Sequence, residues 1–204
     1  MIPPTQRELH LTFDDLLAVA TMMSDFPATW YIAGGWAIDL FTGEALRHHA
    51  DIEIGIARSD QAAIHAHFPD WTKWKMVEEA GEGTLQLWEE GDWLELPVHQ
   101  ILLAREHTRP PEFEFFLNTV QDGIWYFRRD ARIHRPVEEV SLLSSSGIPI
   151  IAPEIQLLYK AKGHREKDYR DFLAALPYMD EERRTWLRNA LQLLYPDDLW
   201  LGKL

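Results

Sequence analysis

Alternation of apolar and polar residues predicts most of the strands in this chain. In the segment 50–56, isoleucines at every second position give one apolar face, while Asp51 and Glu53 share the opposite face. The Asp122-Gly123 step between two apolar runs is a strong hairpin signal. The predicted strands cover 30–33, 50–56, 74–78, 85–88, 98–103, 112–118 and 124–129.

Apolar residues spaced three and four apart predict the helices, the first of them after a candidate N-cap at Thr12. Strands and helices alternate over the first seventy residues, residues 130–150 are predicted to be mostly loop, and helices alone follow Pro153. We therefore expect an α+β fold with a core over 1–150 and a helical subdomain over 151–204. The predicted helices cover 13–23, 36–41, 61–67, 154–162, 167–176 and 181–194.

The chemistry suggested by these patterns centres on a glycine pair and the acidic strand that follows it. Gly34 and Gly35 stand between a predicted strand and a predicted helix, where glycine lets the backbone approach a ligand and the helix start favours an anion. The carboxylates of Asp51 and Glu53 are the hard oxygen donors that Mg²⁺ prefers. Together they suit metal-dependent phosphoryl or nucleotidyl transfer. An acidic strand face that is merely solvated is the competing interpretation.

These motifs resemble the signature of the polymerase-β-like nucleotidyltransferase superfamily. Residues 34–39 (Gly-Gly-Trp-Ala-Ile-Asp), the basic residues Arg47 and His49, and the Asp-Ile-Glu of residues 51–53 are most similar to the small aminoglycoside and lincosamide nucleotidyltransferases. The resemblance continues through residues 127–130, 152–162 and 167–172, and so covers most of 30–190. It implies a mixed-sheet nucleotidyltransferase core with helices on one side.

The resemblance also implies roles for individual residues. Asp51 and Glu53 would bind Mg²⁺, and Gly34, Gly35 and Trp36 would form part of the nucleotide site. Position 53 holds Glu where the superfamily mostly has Asp, and the extra methylene moves the carboxylate oxygens by about one bond length. ATP is the expected nucleotide, and a hydroxyl of a small, cationic acceptor such as an aminoglycoside is the expected target, with antibiotic resistance as the biological role.

Relatives usually add a third carboxylate from a neighbouring strand. Glu114 matches that pattern best, because it lies in an apolar strand ahead of the predicted hairpin; Glu112 shares its face, and Glu95 is a further alternative. A solvent-facing acid without a role is the competing interpretation for each. Asp39 is expected to cap or orient rather than to bind metal.

Several basic residues could meet the triphosphate. Arg47 and Lys160 are the predicted nucleotide-binding cations, since Arg pairs with phosphate in a bidentate way and Lys acts as a point charge. Strand alternation predicts that Arg128 and Arg129 point to opposite faces. Lys167 and Asp168 are expected to form a structural ion pair or a helix cap.

Composition narrows the range of partners. The formal net charge of −13 repels polyanions and attracts cations, which makes nucleic acid an unfavourable substrate. The absence of cysteine excludes disulfides and Cys-ligated zinc, and histidines in zinc-binding patterns are lacking. The N-terminus lacks an apolar signal core, so a cytoplasmic protein without membrane association is expected.

Two alternatives keep the fold and change the function. A nucleotidyltransferase that modifies a protein or RNA, as some toxins do, would carry the same motifs. If the protein is instead a catalytically weak relative that only binds nucleotide, this would explain why position 53 holds Glu instead of Asp. The oligomeric state is not encoded in any recognised pattern.

Overall fold

A mixed sheet of ten strands dominates the described residues. The computed structural model describes residues 9–79, 82–163 and 165–204. The sheet order is β4-β3-β5-β6-β2-β1-β10-β9, with β7 and β8 extending from β6. The strands are β1 (Trp30–Ile32), β2 (Glu53–Ala57), β3 (Thr72–Glu79), β4 (Glu82–Leu87), β5 (Gln100–Ala104), β6 (Glu112–Gln121), β7 (Ile124–Tyr126), β8 (His134–Pro136), β9 (Ser141–Leu143) and β10 (Pro149–Ile151).

Two parallel pairs interrupt an otherwise antiparallel sheet. Strand β2 runs parallel to β6, and β1 runs parallel to β10, whereas the other pairings are antiparallel. The predicted hairpin is present, since Gln121 pairs with Ile124 across the turn. The expectation of an α+β fold with a mixed sheet is confirmed.

Six α-helices are present among the described residues, and three of them begin at recognisable signals. Thr12 and Asp15 form a capping box at the start of α1, and the Asp180 carboxylate accepts a 2.9 Å bond from the Arg183 amide at the start of α6. Helix α4 starts at Pro153, whose fixed φ suits a first helical position. The helices are α1 (Phe13–Met22), α2 (Gly34–Thr42), α3 (Ala62–His67), α4 (Pro153–Ala161), α5 (Glu166–Ala175) and α6 (Glu181–Leu194).

One face of the sheet carries the main apolar core. Phe113 and Phe115 of β6 are fully buried on this face and contact Phe68 at the end of α3, with ring centroids 5.4 and 6.0 Å away. Phe26, which follows α1, packs on Phe115 from the same side. Burial of this alternate set fixes the register, so Glu53 and Glu114 lie on the other face of β2 and β6.

Three predictions about elements are wrong in an informative way. The acidic strand begins at Glu53, so Asp51 lies in the loop before it. Helix α2 contains both glycines of the Gly-Gly pair instead of following them. The segment 130–150 holds three short strands, because β10 finds a parallel partner in β1 that local alternation does not reveal. No helix among the described residues is long and apolar enough to span a membrane.

A buried glutamate ties the C-terminal helices to the sheet region. Glu154 in α4 is fully buried, and its carboxylate accepts hydrogen bonds from Arg135 of β8 at 2.7 Å and Arg183 of α6 at 2.8 Å. The Arg135 guanidinium also lies over the ring of Trp186, 5.0 Å from its centroid. Three separate elements therefore meet at one carboxylate.

Replacing Glu154 by alanine should destabilise the fold, because two guanidinium groups would lose their shared buried partner. We expect the free energy of unfolding, measured by urea denaturation, to fall by about 3 kcal/mol. The control is Glu166→Gln, which removes an ion pair to Arg170 whose glutamate side chain is 78% exposed. It should change the free energy of unfolding by less than about 1 kcal/mol. Equal effects of the two substitutions would contradict the proposed role of Glu154.

Candidate active site

A cavity of about 220 Å³ opens between the polar face of the sheet and helix α4. Asp51 and Glu53 line it from the sheet side, and Lys160 lines it from α4. Its floor includes Tyr31, whose ring lies so close to Gly55 that any side chain at position 55 would collide with it. The cavity thus gathers residues from the beginning, the middle and the end of the chain.

The Gly-Gly pair makes room for other side chains of the site. Gly34 has a φ of +69°, and a Cβ at this position would collide with the carboxylate of Glu53. A Cβ at Gly35 would meet the guanidinium of Arg47 and the ring of His49. The amide of Gly34 donates a 2.8 Å hydrogen bond to the side-chain carbonyl of Gln156 in α4. The pair therefore admits a carboxylate and a guanidinium into the site and anchors α4 beside them.

Strand register brings the predicted third carboxylate next to the other two. Glu53 of β2 is the direct partner of Glu114 in the parallel strand β6. Both point to the polar face of the sheet, and Gln100 of β5 hydrogen-bonds the Glu114 side chain. Among the described residues, Asp51 and Glu53 line the cavity. Glu114 lies on the neighbouring strand β6 and is not part of the cavity lining.

Burial, and after it the proximity of like charges, determines the electrostatics of Glu53 and Glu114. Burial raises the pKa of Glu53 to about 7, and the neighbouring Asp51 adds to the rise. Burial likewise raises the pKa of Glu114 to about 8, with Glu53 and Asp51 contributing further. Glu53 and Glu114 therefore lie where burial and neighbouring carboxylates disfavour the ionised form until a cation arrives.

The donor set fits a divalent hard cation that also binds a substrate. In the described part of the chain, no three His, Asp or Glu side chains converge into a complete metal cage. Mg²⁺ is typically held by one or two carboxylates together with substrate phosphates and water, and Asp51 with Glu53 supplies that number. A bound cation would also offset the burial and the repulsion that raise the pKa of Glu53 and Glu114.

Two buried aspartates of α5 hold the cations of the site. Asp171 is fully buried and accepts two 3.2 Å hydrogen bonds from Arg47 and a 2.8 Å contact from Lys160. Asp168, also fully buried, accepts from Arg165 at 2.6 Å and from Lys160 at 3.4 Å. Arg47, Lys160 and Arg165 all line the cavity, so the aspartates fix the positions of three cationic groups at its wall.

The outcome for the remaining basic residues differs from the sequence expectation. Asp168 pairs with Lys160 and Arg165, and Lys167 lines the cavity instead of forming the predicted pair with it. Arg128 and Arg129 both line the cavity, so the prediction of opposite faces is wrong. The reason is that β7 ends at Tyr126 and the two arginines occupy a turn, where strand alternation does not apply.

Trp36 lies beside the cavity rather than in its lining. Its ring packs at a tilt against that of His49 with centroids 4.2 Å apart, and the Nε2 atom of His49 lies 2.7 Å from the Asp39 carboxylate. All three side chains are buried. Trp36 and Asp39 thus hold the loop that carries Arg47 and leads into Asp51, and they line a second cavity of about 870 Å³.

No sequence pattern described above predicts a role for Asp171, Gln156 or Tyr31. A usable signal existed for Asp171, since Asp168 and Asp171 are three residues apart and share one helix face. The other two depend on long-range packing that the sequence does not display. Glu95 and Glu112, the alternatives for the third carboxylate, do not line the cavity among the described residues.

Comparisons with solved structures support the fold. The chain is similar to lincosamide antibiotic adenylyltransferase LnuA with lincomycin bound, with a TM-score of 0.57 and 17% identity over 84% of this chain and 100% of that chain. It is also similar to ANT(2″)-Ia in complex with adenylyl-2″-tobramycin, with a TM-score of 0.52 and 15% identity over 89% of this chain and 99% of that chain. No curated protein sequence is significantly similar to this chain.

A comparison with family profiles identifies the family. The profile for aminoglycoside-2″-adenylyltransferases matches residues 15–174, which is well over half of the chain. This range includes the Gly-Gly pair, the three acids and both buried aspartates of α5. The resemblance noted in the sequence is therefore confirmed. The chain belongs to the aminoglycoside-2″-adenylyltransferase family and is an enzyme of the nucleotidyltransferase type.

Proposed function

We propose that this enzyme transfers AMP from ATP to a hydroxyl of a small, amine-bearing acceptor and releases pyrophosphate, with Mg²⁺ as the metal. The observation that carries the proposal is the opposition, across one cavity, of the Asp51 and Glu53 carboxylates and a set of fixed cations. Carboxylates on one side suit a metal and cations on the other suit phosphates. The division into a core over 1–150 and a helical subdomain over 151–204 would place the nucleotide between the two.

The cations would bind and orient the triphosphate. Arg47 and Lys160 are held by Asp171, so little side-chain entropy remains to be lost when phosphate arrives. Arg128 and Arg129 approach from the turn after β7 and widen the positive wall. Positioning and charge neutralisation account for most of the catalysis in phosphoryl transfer.

Asp51 and Glu53 would hold Mg²⁺, which when bound neutralises phosphate charge and polarises the α-phosphate. Glu114 would accept the proton of the acceptor hydroxyl once the bound cation favours its ionised form, since it neighbours Glu53 and its pKa is raised to about 8 without metal. The acceptor oxygen then bonds to the α-phosphorus, the bond between that phosphorus and the bridging oxygen of the β-phosphate breaks, and pyrophosphate leaves.

The acceptor is proposed to be an antibiotic-like amine. The family is named for aminoglycosides, and the similar structures contain lincomycin and a tobramycin adduct. All of these compounds are hydroxyl-bearing amines. The net charge of −13 favours the approach of a cation and disfavours a polyanion.

A second candidate function is nucleotide binding without transfer. Glu53 favours it, because Mg²⁺ demands near-ideal octahedral geometry and the longer side chain changes where the carboxylate oxygens lie. Nucleotide binding without pyrophosphate release in the presence of any acceptor would support this candidate over the first.

Calorimetric titration of Mg²⁺-ATP tests the placement of the nucleotide. We expect the wild type to bind in a metal-dependent way and the Asp51→Asn, Glu53→Gln double variant to bind at least tenfold more weakly, because the metal loses both anionic ligands. A matched control, Glu89→Gln with Glu90→Gln, removes two exposed carboxylates elsewhere and should bind like the wild type. Equal binding by the wild type and the double variant would remove the basis of the proposal.

The substitution Glu114→Gln tests the role of the third carboxylate. We expect kcat for pyrophosphate release to fall by about 10² or more, because the proton acceptor is lost. The dissociation constant for Mg²⁺-ATP should change less than threefold, since Glu114 does not line the cavity. Glu112→Gln, two residues away on the same face, is the control. A wild-type kcat in the Glu114 variant would exclude this residue as the base.

The raised pKa values predict how the stability of the metal-free protein depends on pH. Between about 4.5 and about 8, Glu53 and Glu114 hold protons in the native state that the unfolded chain releases. The native state then binds more protons than the unfolded state, so the free energy of unfolding should fall as pH rises through this window. Denaturation at pH 5, 7 and 9 in a chelator measures the slope, and Glu114→Gln should flatten it. An unchanged slope would show that the carboxyl group of Glu114 ionises normally.

A further inference from the structure

One row of side chains runs from the catalytic carboxylates to the edge of the sheet. Glu53 pairs with Glu114, Glu114 with Leu102, Leu102 with Trp74, and Trp74 with Leu87. Residues paired directly across neighbouring strands point to the same face of the sheet. The two acids are therefore followed, on the same face, by three apolar side chains.

A second row widens this apolar region. Phe116 lies two residues after Glu114 on β6 and lines the cavity, and Met76 and Leu85 are paired on β3 and β4. We call the six apolar residues of the two rows the apolar strip: Trp74, Met76, Leu85, Leu87, Leu102 and Phe116.

The apolar strip is separate from the main core and partly accessible. Among the described residues, none of its six members belongs to the core cluster or packs against it. Trp74 and Leu102 are 4% and 9% exposed, whereas Leu87 is 39% exposed and Met76, Leu85 and Phe116 are half-buried. The strip's accessible apolar surface lies at Phe116 beside the cavity and at Met76, Leu85 and Leu87 near the sheet edge, with Gln100 of β5 on the same face between them. Exposed apolar surface can mark a ligand-binding groove.

The ionisable side chains of the strands on this face are acidic. On strands β3 to β6, the positions that share the face of the apolar strip include Glu78, Glu112 and Glu114 and no Lys or Arg among the described residues. The two lysines of β3 point to the other face: Lys73 donates to the Phe68 carbonyl, and Lys75 lies 3.8 Å from Asp92. Arg128, which lines the cavity, lies near enough to interact with Glu78.

We propose that the acceptor lies along the apolar strip and is an amphipathic amine, with its hydroxyl at Glu114 and an apolar portion over Leu85 and Leu87. This inference rests on the proposed transfer reaction and specifies its second substrate. A sugar polyamine would place hydroxyl and amino groups against the apolar strip. Those groups would then lack hydrogen-bond partners, and the apolar side chains would gain no apolar contact. An acceptor with one amine and alkyl substituents matches both the apolar surface and the negative charge.

The geometry sets the shape of that acceptor. Neighbouring strands lie about 4.8 Å apart, so β3 and β4 lie about 10 and 15 Å from β6. The apolar portion must therefore extend about 10 to 15 Å from the hydroxyl that reacts. Phe116 provides an aromatic face next to Glu114, where the reacting ring would rest.

The test compares two acceptors in a pyrophosphate-release assay with Mg²⁺-ATP: lincomycin as an amphipathic amine and tobramycin as a sugar polyamine. We expect lincomycin to be the better acceptor. Leu87→Lys should raise the KM for lincomycin at least tenfold, because an apolar contact with the acceptor is replaced by a like charge. The KM for Mg²⁺-ATP should stay within twofold of wild type. Leu85→Lys serves as a second variant, and melting curves check folding.

The matched control is Gln86→Lys, which adds the same charge to the same strand on the opposite, exposed face. It should leave the KM for lincomycin unchanged. An unchanged KM in both Leu87→Lys and Leu85→Lys would overturn the inference, as would turnover of tobramycin in preference to lincomycin, with the transfer reaction still supported. Mg²⁺-ATP binding with neither acceptor used would also overturn it. Failure of the wild type to bind Mg²⁺-ATP at all would instead remove the proposed function.

Discussion

The parallel pairing of β2 and β6 is the constraint on which the site depends. It sets Glu53 directly beside Glu114, although the two residues are far apart in the chain. Parallel strands require a long crossover, and here the connection supplies α3 and strands β3 to β5. The apolar residues on the other face of both strands are buried in the core, so the register cannot slip without exposing them. Burial of these apolar residues therefore offsets the unfavourable proximity of the Glu53 and Glu114 carboxyl groups.

A second organising element lies in α5. Asp168 and Asp171 connect Arg47, from the loop before β2, with Lys160 and Arg165 from the C-terminal helices. Buried charges persist only when they are paired, so these contacts bind the helices to the core and prepare the cavity wall at once. The same side chains therefore support the fold and supply the cationic lining of the cavity.

Sequence patterns were sufficient for elements whose signals are local. The three C-terminal helices and the hairpin at Asp122-Gly123 lie where periodicity and turn residues predict them. Strand β10 escaped prediction because its only strong reason to be extended is its pairing with β1. The positions of Arg128 and Arg129 depend on where β7 ends, and strand ends are poorly marked in sequence. The candidate carboxylates could be selected by motif, whereas their mutual influence on pKa required the three-dimensional arrangement.

The contact between Gly34 and Glu53 links two positions that the sequence presents as independent. The Glu53 carboxylate occupies the space that a side chain at position 34 would need. A shorter acid at position 53 would withdraw from that space, and a larger residue at position 34 would force the glutamate into another rotamer. The residues at positions 34 and 53 can therefore be interpreted only together. Replacing one of them by the residue of a relative, without the other, would leave the pair mismatched.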